Sequence, residues 1–413
     1  EIIERCNGSG VCRKEKSGTM CPSFMVTRDE KHSTRGRANT LRGIISGNYD
    51  ASALTDGRMQ EVMDLCISCK ACKSECPSEV DMAPLKQEVQ HKIHEENGAS
   101  IRERFFAGFG RFARLSAPFQ PIVSWLQTLP GLQPLLKKSL GIAPERSLPV
   151  LVPDPVTPSN HQDDFSSESD PVVLYADTFS GYLEPSIFRQ AHELLKSLGL
   201  DPIVPDVPCC GRTFLSQGFL GKAKQQARKT IDALREYPKQ GVPILTIEPS
   251  CYSALVDDYP RLVPGEDAEA VASGTHLITE FLNEERQDLI KSKSGKGTND
   301  ATTWVHGHCH EKALLGEKSL VELLSAATGG SVEFIDSGCC GMAGSFGYER
   351  EHYELSKRMA ERKLIPAVEQ SNQNDRIVAP GLSCREQIRD FSAVNPDHPI
   401  ELLNDLIPRS NEG

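Results

Sequence analysis

Fourteen cysteines carry the chemistry this sequence could do, and they fall into two groups. Cys6, Cys12, Cys21, Cys66, Cys69, Cys72 and Cys76 lie near the amino terminus, and Cys209, Cys210, Cys251, Cys309, Cys339, Cys340 and Cys384 lie in the second half. Cys66, Cys69, Cys72 and Cys76, the last followed by Pro77, form a Cys-x2-Cys-x2-Cys-x3-Cys-Pro run. At that spacing three thiolates wrap one cubane iron–sulfur cluster, and the cysteine before proline is directed to a neighbouring cluster. Structural zinc is instead held by two separated cysteine knuckles, so a continuous run predicts a 4Fe-4S cluster.

Upstream, Cys6, Cys12 and Cys21-Pro22 read as an altered partner run in which Ser9 takes the middle cysteine position. The crossover rule then assigns Cys66, Cys69, Cys72 and Cys21 to one cluster and leaves Cys6, Cys12 and Cys76 for a second. That second site is one thiolate short. A serine oxygen, a solvent ligand or a three-iron cluster could complete it; otherwise Cys6 and Cys12 are ordinary buried thiols.

The later cysteines sit where strands end. Cys209-Cys210-Gly211 and Cys339-Cys340-Gly341 each follow a short apolar run, and the glycine permits a tight turn that lets adjacent sulfurs face one centre. Cys309, Cys339, Cys340 and Cys384 could hold a metal or a cluster, with His308 and His310 as further ligands. Cys209, Cys210 and Cys251 offer one thiolate fewer, because Asp177 sits where Cys309 would fall. His306, His308 and His310 alternate at strand spacing, for which a buried structural role is the ordinary outcome.

The elements that must position these residues follow from periodicity. Helices are expected from a Thr55 cap through Met59, Val62 and Met63, and from Asp81 through Leu85, Val89 and Ile93. Residues 1–100 thus read as an α-helical cluster domain. Residues 101–152 form an amphipathic helical connector rich in Phe and Leu, able to face a core, a partner or a membrane surface. Residues 153–171 read as a polar, proline-rich linker. Residues 172–290 and 301–413 then repeat one order of strand, helix, strand, CCG, helix and strand, predicting two α/β lobes with cysteines at strand ends. The hydrophilic stretch 291–300 lies between them.

The chain has 413 residues, a formal charge of −11 and 25% charged residues, which fits a multidomain acidic protein and disfavours nucleic-acid binding. It lacks an apolar run long enough to span a bilayer and a signal-peptide layout at Glu1–Cys6, so an intracellular location is expected. A start at Glu1 with Cys6 close behind suggests the carboxy-terminal part of something longer. No dinucleotide fingerprint or Walker loop occurs. Arg35, Arg37 and Arg42 form a basic cluster, read as a solvated face or a docking surface for an anionic partner.

The paired cysteine-proline runs followed by two CCG lobes resemble the iron–sulfur halves of FAD-linked D-2-hydroxyacid dehydrogenases, the glycolate oxidase iron–sulfur subunit, the corresponding subunit of anaerobic glycerol-3-phosphate dehydrogenase, and heterodisulfide reductase. The strings RCNGSGVCRKEKSGTMCPSF, HSTRGRAN, GHCHEKAL and SGCCGMAGSF are most similar to the fused D-2-hydroxyglutarate or D-lactate dehydrogenase type. The resemblance implies an α+β multidomain fold, with a ferredoxin-like domain and two pseudo-repeated Rossmann-like CCG lobes. It further implies an oxidoreductase in which FAD and the hydroxyacid bind an amino-terminal flavin domain or subunit. Electrons would pass through 4Fe-4S to a quinone, a cytochrome or a soluble carrier, in the cytoplasm or on the inner face of the membrane. The lobes carry three and four cysteines, against five per motif in heterodisulfide reductase, which weakens disulfide chemistry at Cys339 and Cys340. A zinc-holding scaffold without redox function is the remaining rival.

Overall fold

The computed structural model describes residues 2–127, 129, 131–156, 170–294 and 301–407. Most of the expected linker, residues 157–169, and most of the hydrophilic stretch, residues 295–300, lie outside the described residues.

The amino-terminal part is built from short helices because each is started by a side-chain cap and stopped by a cysteine loop. Ser33 accepts the Gly36 N–H at the start of Thr34–Ile45, and Asp81 accepts the Ala83 N–H at the start of Met82–Asn97. The cap of Gly57–Asp64 is Asp56, which takes the N–H groups of Arg58 and Met59, rather than the expected Thr55. Thr55 is drawn away by its hydroxyl, which donates to Glu96 at 2.5 Å. Between Cys66 and Cys72, Ser68 and Lys70 adopt left-handed backbone with φ of 50° and 61°, which turns successive sulfurs inward.

The connector forms three helices, Ile101–Ser116, Gln120–Gln127 and Leu132–Leu140. A capping box between Ser100 and Glu103 starts the first. Its small residues Ala107, Gly110 and Ala113 are buried, and Gly110 admits the Cys209 sulfur, which would lie 2.8 Å from any Cβ there. The opposite face exposes Phe112, Leu115, Phe119, Ile122 and Trp125.

Two parallel sheets follow. The first has order β2-β1-β3-β4, from β1 (Pro171–Tyr175), β2 (Asp201–Ile203), β3 (Ile244–Thr246) and β4 (Thr275–Leu277). The second has order β6-β5-β7, from β5 (Thr302–Val305), β6 (Ser331–Phe334) and β7 (Arg376–Val378). A lone parallel bridge from Val378 to Asp397 lies beside β7, as β4 lies beside β3. Val172, Val173 and Leu174 are fully buried, as expected for a parallel strand covered on both faces. The helix expected through Tyr353 and Leu364 breaks into Tyr353–Glu361 and Leu364–Glu369.

The sheets share one core. Helix Pro185–Ser197 packs on Pro399–Leu406, and Ile278–Glu285 packs on Lys318–Thr328. Their side chains, including Ile187, Leu194, Leu282, Leu320, Leu324 and Leu403, form a single cluster. Each such aliphatic burial contributes roughly 1.5–3 kcal/mol, so this seam fixes the two cysteine-bearing sheets against one another.

Candidate metal centres

Cys21, Cys66, Cys69 and Cys72 line one small cavity together with Thr34, Arg37, Lys70 and Met82. The Cys21 sulfur lies 3.0 Å from the Thr34 hydroxyl, and the Cys72 sulfur accepts the Met82 N–H at 3.2 Å. Burial pushes the Cys21 thiol up to about 11 and the Cys69 and Cys72 thiols well above their ordinary value. Sulfurs so placed are costly to ionise alone, and a cationic iron centre would ionise them outright. Four soft ligands that line one cavity are a donor set an iron–sulfur cluster takes.

A second small cavity is lined by Cys6, Ser9, Cys12 and Cys76, with Thr34, Arg35 and Val80. Thr34 lies in both walls, so the cavities are neighbours. Gly8 and Gly10, with φ of 78° and 72°, turn the loop that carries Ser9 into the wall. The Cys12 sulfur accepts the Arg35 N–H at 3.3 Å. Ser9 thus lines this cavity beside the three cysteines.

The arginines expected to form a surface patch are structural instead. Arg37 is buried and donates to the His32 carbonyl and the Ser23 hydroxyl, Arg42 donates to the carbonyls of Ile3 and Cys6, and Arg35 pairs with Glu30. They tie the loops around both cavities together. Glu75 does the same from the opposite side, accepting from Lys14 and from the Thr19 and Met20 N–H groups just before Cys21.

In the first sheet the sulfur of Cys210 hydrogen-bonds those of both Cys209 and Cys251. Cys210 and Cys251 bring their sulfurs to 3.1 Å, and the Cys209 sulfur also lies against Gly110 of the connector. Asp177 caps helix Thr178–Tyr182 through the Phe179 and Ser180 N–H groups, the role His308 plays for Cys309–Leu314. By cap position Thr178, and not the expected Asp177, therefore takes the place of Cys309.

The second sheet collects all four of its cysteines, in a file running Cys309, Cys339, Cys340, Cys384. The vicinal pair faces two ways. Cys309 and Cys339 belong to the apolar core that holds Cys69, whereas Cys340 and Cys384 belong to the core beneath β7. The thiol of Cys339 is held below its usual value by hydrogen bonds from Cys309 and Cys340, with the Gly341 N–H and Lys312 adding to the effect. The sequence therefore missed that one pair of adjacent cysteines would serve two environments.

Two of the histidines take the buried structural role and not that of further ligands. His310 engages both ring nitrogens, Nδ1 with the Ser253 hydroxyl at 2.9 Å and Nε2 with the Ser68 carbonyl at 3.1 Å. The carbonyl can only accept, so Nε2 carries the proton and Nδ1 accepts from serine, leaving no lone pair for a metal. His308 spends Nδ1 on the His310 N–H at 3.1 Å, and burial lowers its value to about 4. His306, absent from the expected ligands, brings a ring nitrogen within 4.8 Å of the sulfurs of Cys340 and Cys384. Its alternation with His308 and His310 was the only signal, and alternation cannot tell a ligand from a core residue.

Residues 5–81 match the 4Fe-4S dicluster domain family, and residues 180–256 and 305–389 each match the cysteine-rich CCG domain family. The chain is 25% identical to D-2-hydroxyglutarate dehydrogenase of Escherichia coli, over 97% of this chain and 43% of that protein. It is 27% identical to a subunit of the anaerobic glycerol-3-phosphate dehydrogenase of Escherichia coli, over 79% and 82% of the two chains. It is 25% identical to the probable glycolate oxidase iron–sulfur subunit of Bacillus subtilis, over 83% and 80%. The chain thus spans less than half the length of the D-2-hydroxyglutarate dehydrogenases it matches. With one dicluster domain followed by two cysteine-rich domains, the chain is a CCG-domain iron–sulfur protein.

Proposed function

We propose that this chain is the electron-transfer portion of a flavin-dependent D-2-hydroxyacid dehydrogenase of the D-2-hydroxyglutarate or D-lactate type. The observation that carries the reading is the pair of adjoining cysteine-lined cavities with Thr34 in their common wall. Cys21, Cys66, Cys69 and Cys72 would hold one 4Fe-4S cluster, and Cys6, Cys12 and Cys76, with Ser9 beside them, a second. Such clusters supply one-electron steps at potentials set by ligand, hydrogen bonding and burial. The chain's own residues do the tuning: the Thr34 hydroxyl and the Met82 N–H meet two of the sulfurs, and the apolar side chains around them exclude water.

Flavin, substrate and the base that takes the substrate proton would belong to an amino-terminal domain or subunit, and the acceptor to a quinone, a cytochrome or a soluble carrier. The parallel sheets and their like strand orders support reading 172–290 and 301–413 as pseudo-repeated Rossmann-like lobes behind a cluster domain at 1–100 and a connector at 101–152. Among the described residues no helix is long and apolar enough to cross a membrane, and the exposed apolar face of the connector suits peripheral contact.

The test is reduction of anaerobically prepared protein by a photoreduced flavin. Bleaching of the iron–sulfur absorption, with paramagnetic signals from the reduced clusters, is expected. Protein that takes up no electrons from flavin or dithionite would overturn the reading.

A further inference from the structure

Among the described residues eleven large apolar side chains are exposed, and nine of them lie between Ile101 and Leu135. On helix Ile101–Ser116 they form one stripe, Ile101, Phe105, Phe112 and Leu115, at helical spacing. Phe119, Ile122 and Trp125 continue it at three-residue intervals through the following turn and helix Gln120–Gln127, with Trp125 59% exposed. Single apolar side chains on a surface need no explanation, but a contiguous face marks an interaction site.

The face is held outward by what lies behind it. Ala107, Gly110 and Ala113 are buried on the opposite side of the first helix, where Thr213 donates to the Ala107 carbonyl at 2.9 Å and the Cys209 sulfur lies against Gly110. Val123 packs inward on the cluster of Ala113, Leu151 and Leu183. Only small residues fit that inner side, so the helix cannot turn over to bury Phe112 or Leu115.

Charge says what the face meets. Residues 101–140 carry six Lys or Arg and one acidic residue, Glu103, in a chain whose net charge is −11. Arg102 pairs with Glu351 and Arg114 with Asp206. Arg104 and Lys137 donate to the backbone carbonyls of Ala99 and Pro144, which leave their charges uncancelled, and Arg111 and Lys138 are exposed. Arg104 and Arg111, seven residues apart, run beside the apolar stripe, where a long stem covers apolar surface and its charge reaches the polar edge. The rest of the chain is acidic, so an anionic surface attracts this segment and repels the remainder. A second copy of the chain is disfavoured, because a symmetric pair would set these cations against one another.

We propose that the connector lies in the plane of an anionic phospholipid bilayer, with Phe112, Leu115, Ile122 and Trp125 among the acyl chains and Arg104, Arg111 and Lys138 at the headgroups. Short amphipathic helices with cations flanking an apolar face bind in this way, and tryptophan settles at the boundary between lipid and water. Among the described residues no helix is long and apolar enough to cross the bilayer, which fits binding along its surface. The inference rests on the reading above for the peripheral contact, to which it gives a partner and an orientation. Its test involves no electron flow, so either can fail alone.

The whole chain, prepared anaerobically, is mixed with vesicles of phosphatidylcholine alone or with about 30% phosphatidylglycerol, and bound protein is separated by flotation. Binding at least about tenfold tighter to the anionic vesicles, weakening as salt rises, is expected. Trp125 fluorescence should shift to the blue and be quenched by brominated lipid. The other tryptophan, Trp304, donates to Asp375 at 3.0 Å in the second sheet, so Trp125→Phe should remove the shift while binding persists. Leu115→Ser with Ile122→Ser should abolish binding. Arg104→Gln with Arg111→Gln should lower binding to anionic vesicles about 10–30-fold and leave that to neutral ones unchanged. All four side chains are exposed, so iron content and unfolding midpoint should match the parent. Four results overturn the inference: no binding to either vesicle, as when a flavin domain covers the face; equal binding to both; a blue shift that survives Trp125→Phe; or a stable dimer that Leu115→Ser with Ile122→Ser dissociates, which would put a second copy there.

Discussion

Lys70 Nζ lies 2.8 Å from Asp258 Oδ2, and each of the two side chains is only 1% exposed. Lys70 follows Cys69 directly, so this pair joins the cluster loop to the segment behind β3. Asp258 also takes Arg212 at 2.5 Å, and Lys70 also takes Asp257 at 2.6 Å. Burial works against the Asp258 carboxylate, but the charges of Lys70 and Arg212 outweigh it and hold its carboxyl well below the usual range. Asp258→Asn would leave two buried cations short of a counter-charge. It is expected to cost about 3–5 kcal/mol in urea unfolding, with the double variant Lys70→Met, Asp258→Asn costing less than the sum of the singles. A loss below about 1 kcal/mol would show that the pair does not hold the domains together.

His352 makes a second tie, with Nε2 at 2.7 Å from Asp64 and Nδ1 at 2.8 Å from Glu349. Burial disfavours the imidazolium, yet the two carboxylates prevail and raise His352 to about 9. Its unfolded value is near 6.5, so the protonated form is favoured in the folded state. The stabilisation is complete below about pH 6.5 and is lost as pH rises through 9. With Asp64 half-exposed and screened, it is worth on the order of 2 kcal/mol. Unfolding midpoints measured between pH 6 and 10 should fall across that window in the parent and stay flatter in His352→Gln. An equal fall in both would exclude this histidine as the cause.

The crossing of cysteines between cavities makes Cys21 and Cys76 separable. Cys21→Ala should remove the cluster held with Cys66, Cys69 and Cys72, and Cys76→Ala should remove only its neighbour, each dropping iron by up to about four atoms per chain. If Cys76→Ala instead abolished the signal that Cys69→Ala abolishes, the four cysteines of the run would share one site.

Ser9 lines the second cavity in place of a thiolate. Ser9→Cys is expected to raise the iron retained there after brief exposure to air and to slow its loss several-fold, read by iron analysis and optical decay. No change would place the completing ligand elsewhere.

Much of this was legible in the sequence where ligands are local. Cys66, Cys69, Cys72 and Cys76 lie in one short string, and the crossover rule alone brings in Cys21. The β-branched run at β1 and the cysteines behind each strand were equally plain. What escaped depends on contacts between distant segments. β4 is only Thr275–Leu277, too short for a period. His306 meets the sulfurs of Cys340 and Cys384 only in the fold, and His310 ceases to be a candidate ligand through Ser253 and Ser68. The arginines near the clusters looked like surface charge because sequence shows no carbonyls for them to bind.

Paramagnetic resonance of the anaerobic protein after dithionite, with iron and sulfide counts on the same sample, tests the central claim most directly. The account predicts a reduced cubane signal in the parent that disappears in Cys69→Ala, with iron and sulfide in equal numbers. A colourless, magnetically silent protein holding zinc in the Cys21, Cys66, Cys69, Cys72 site would contradict it.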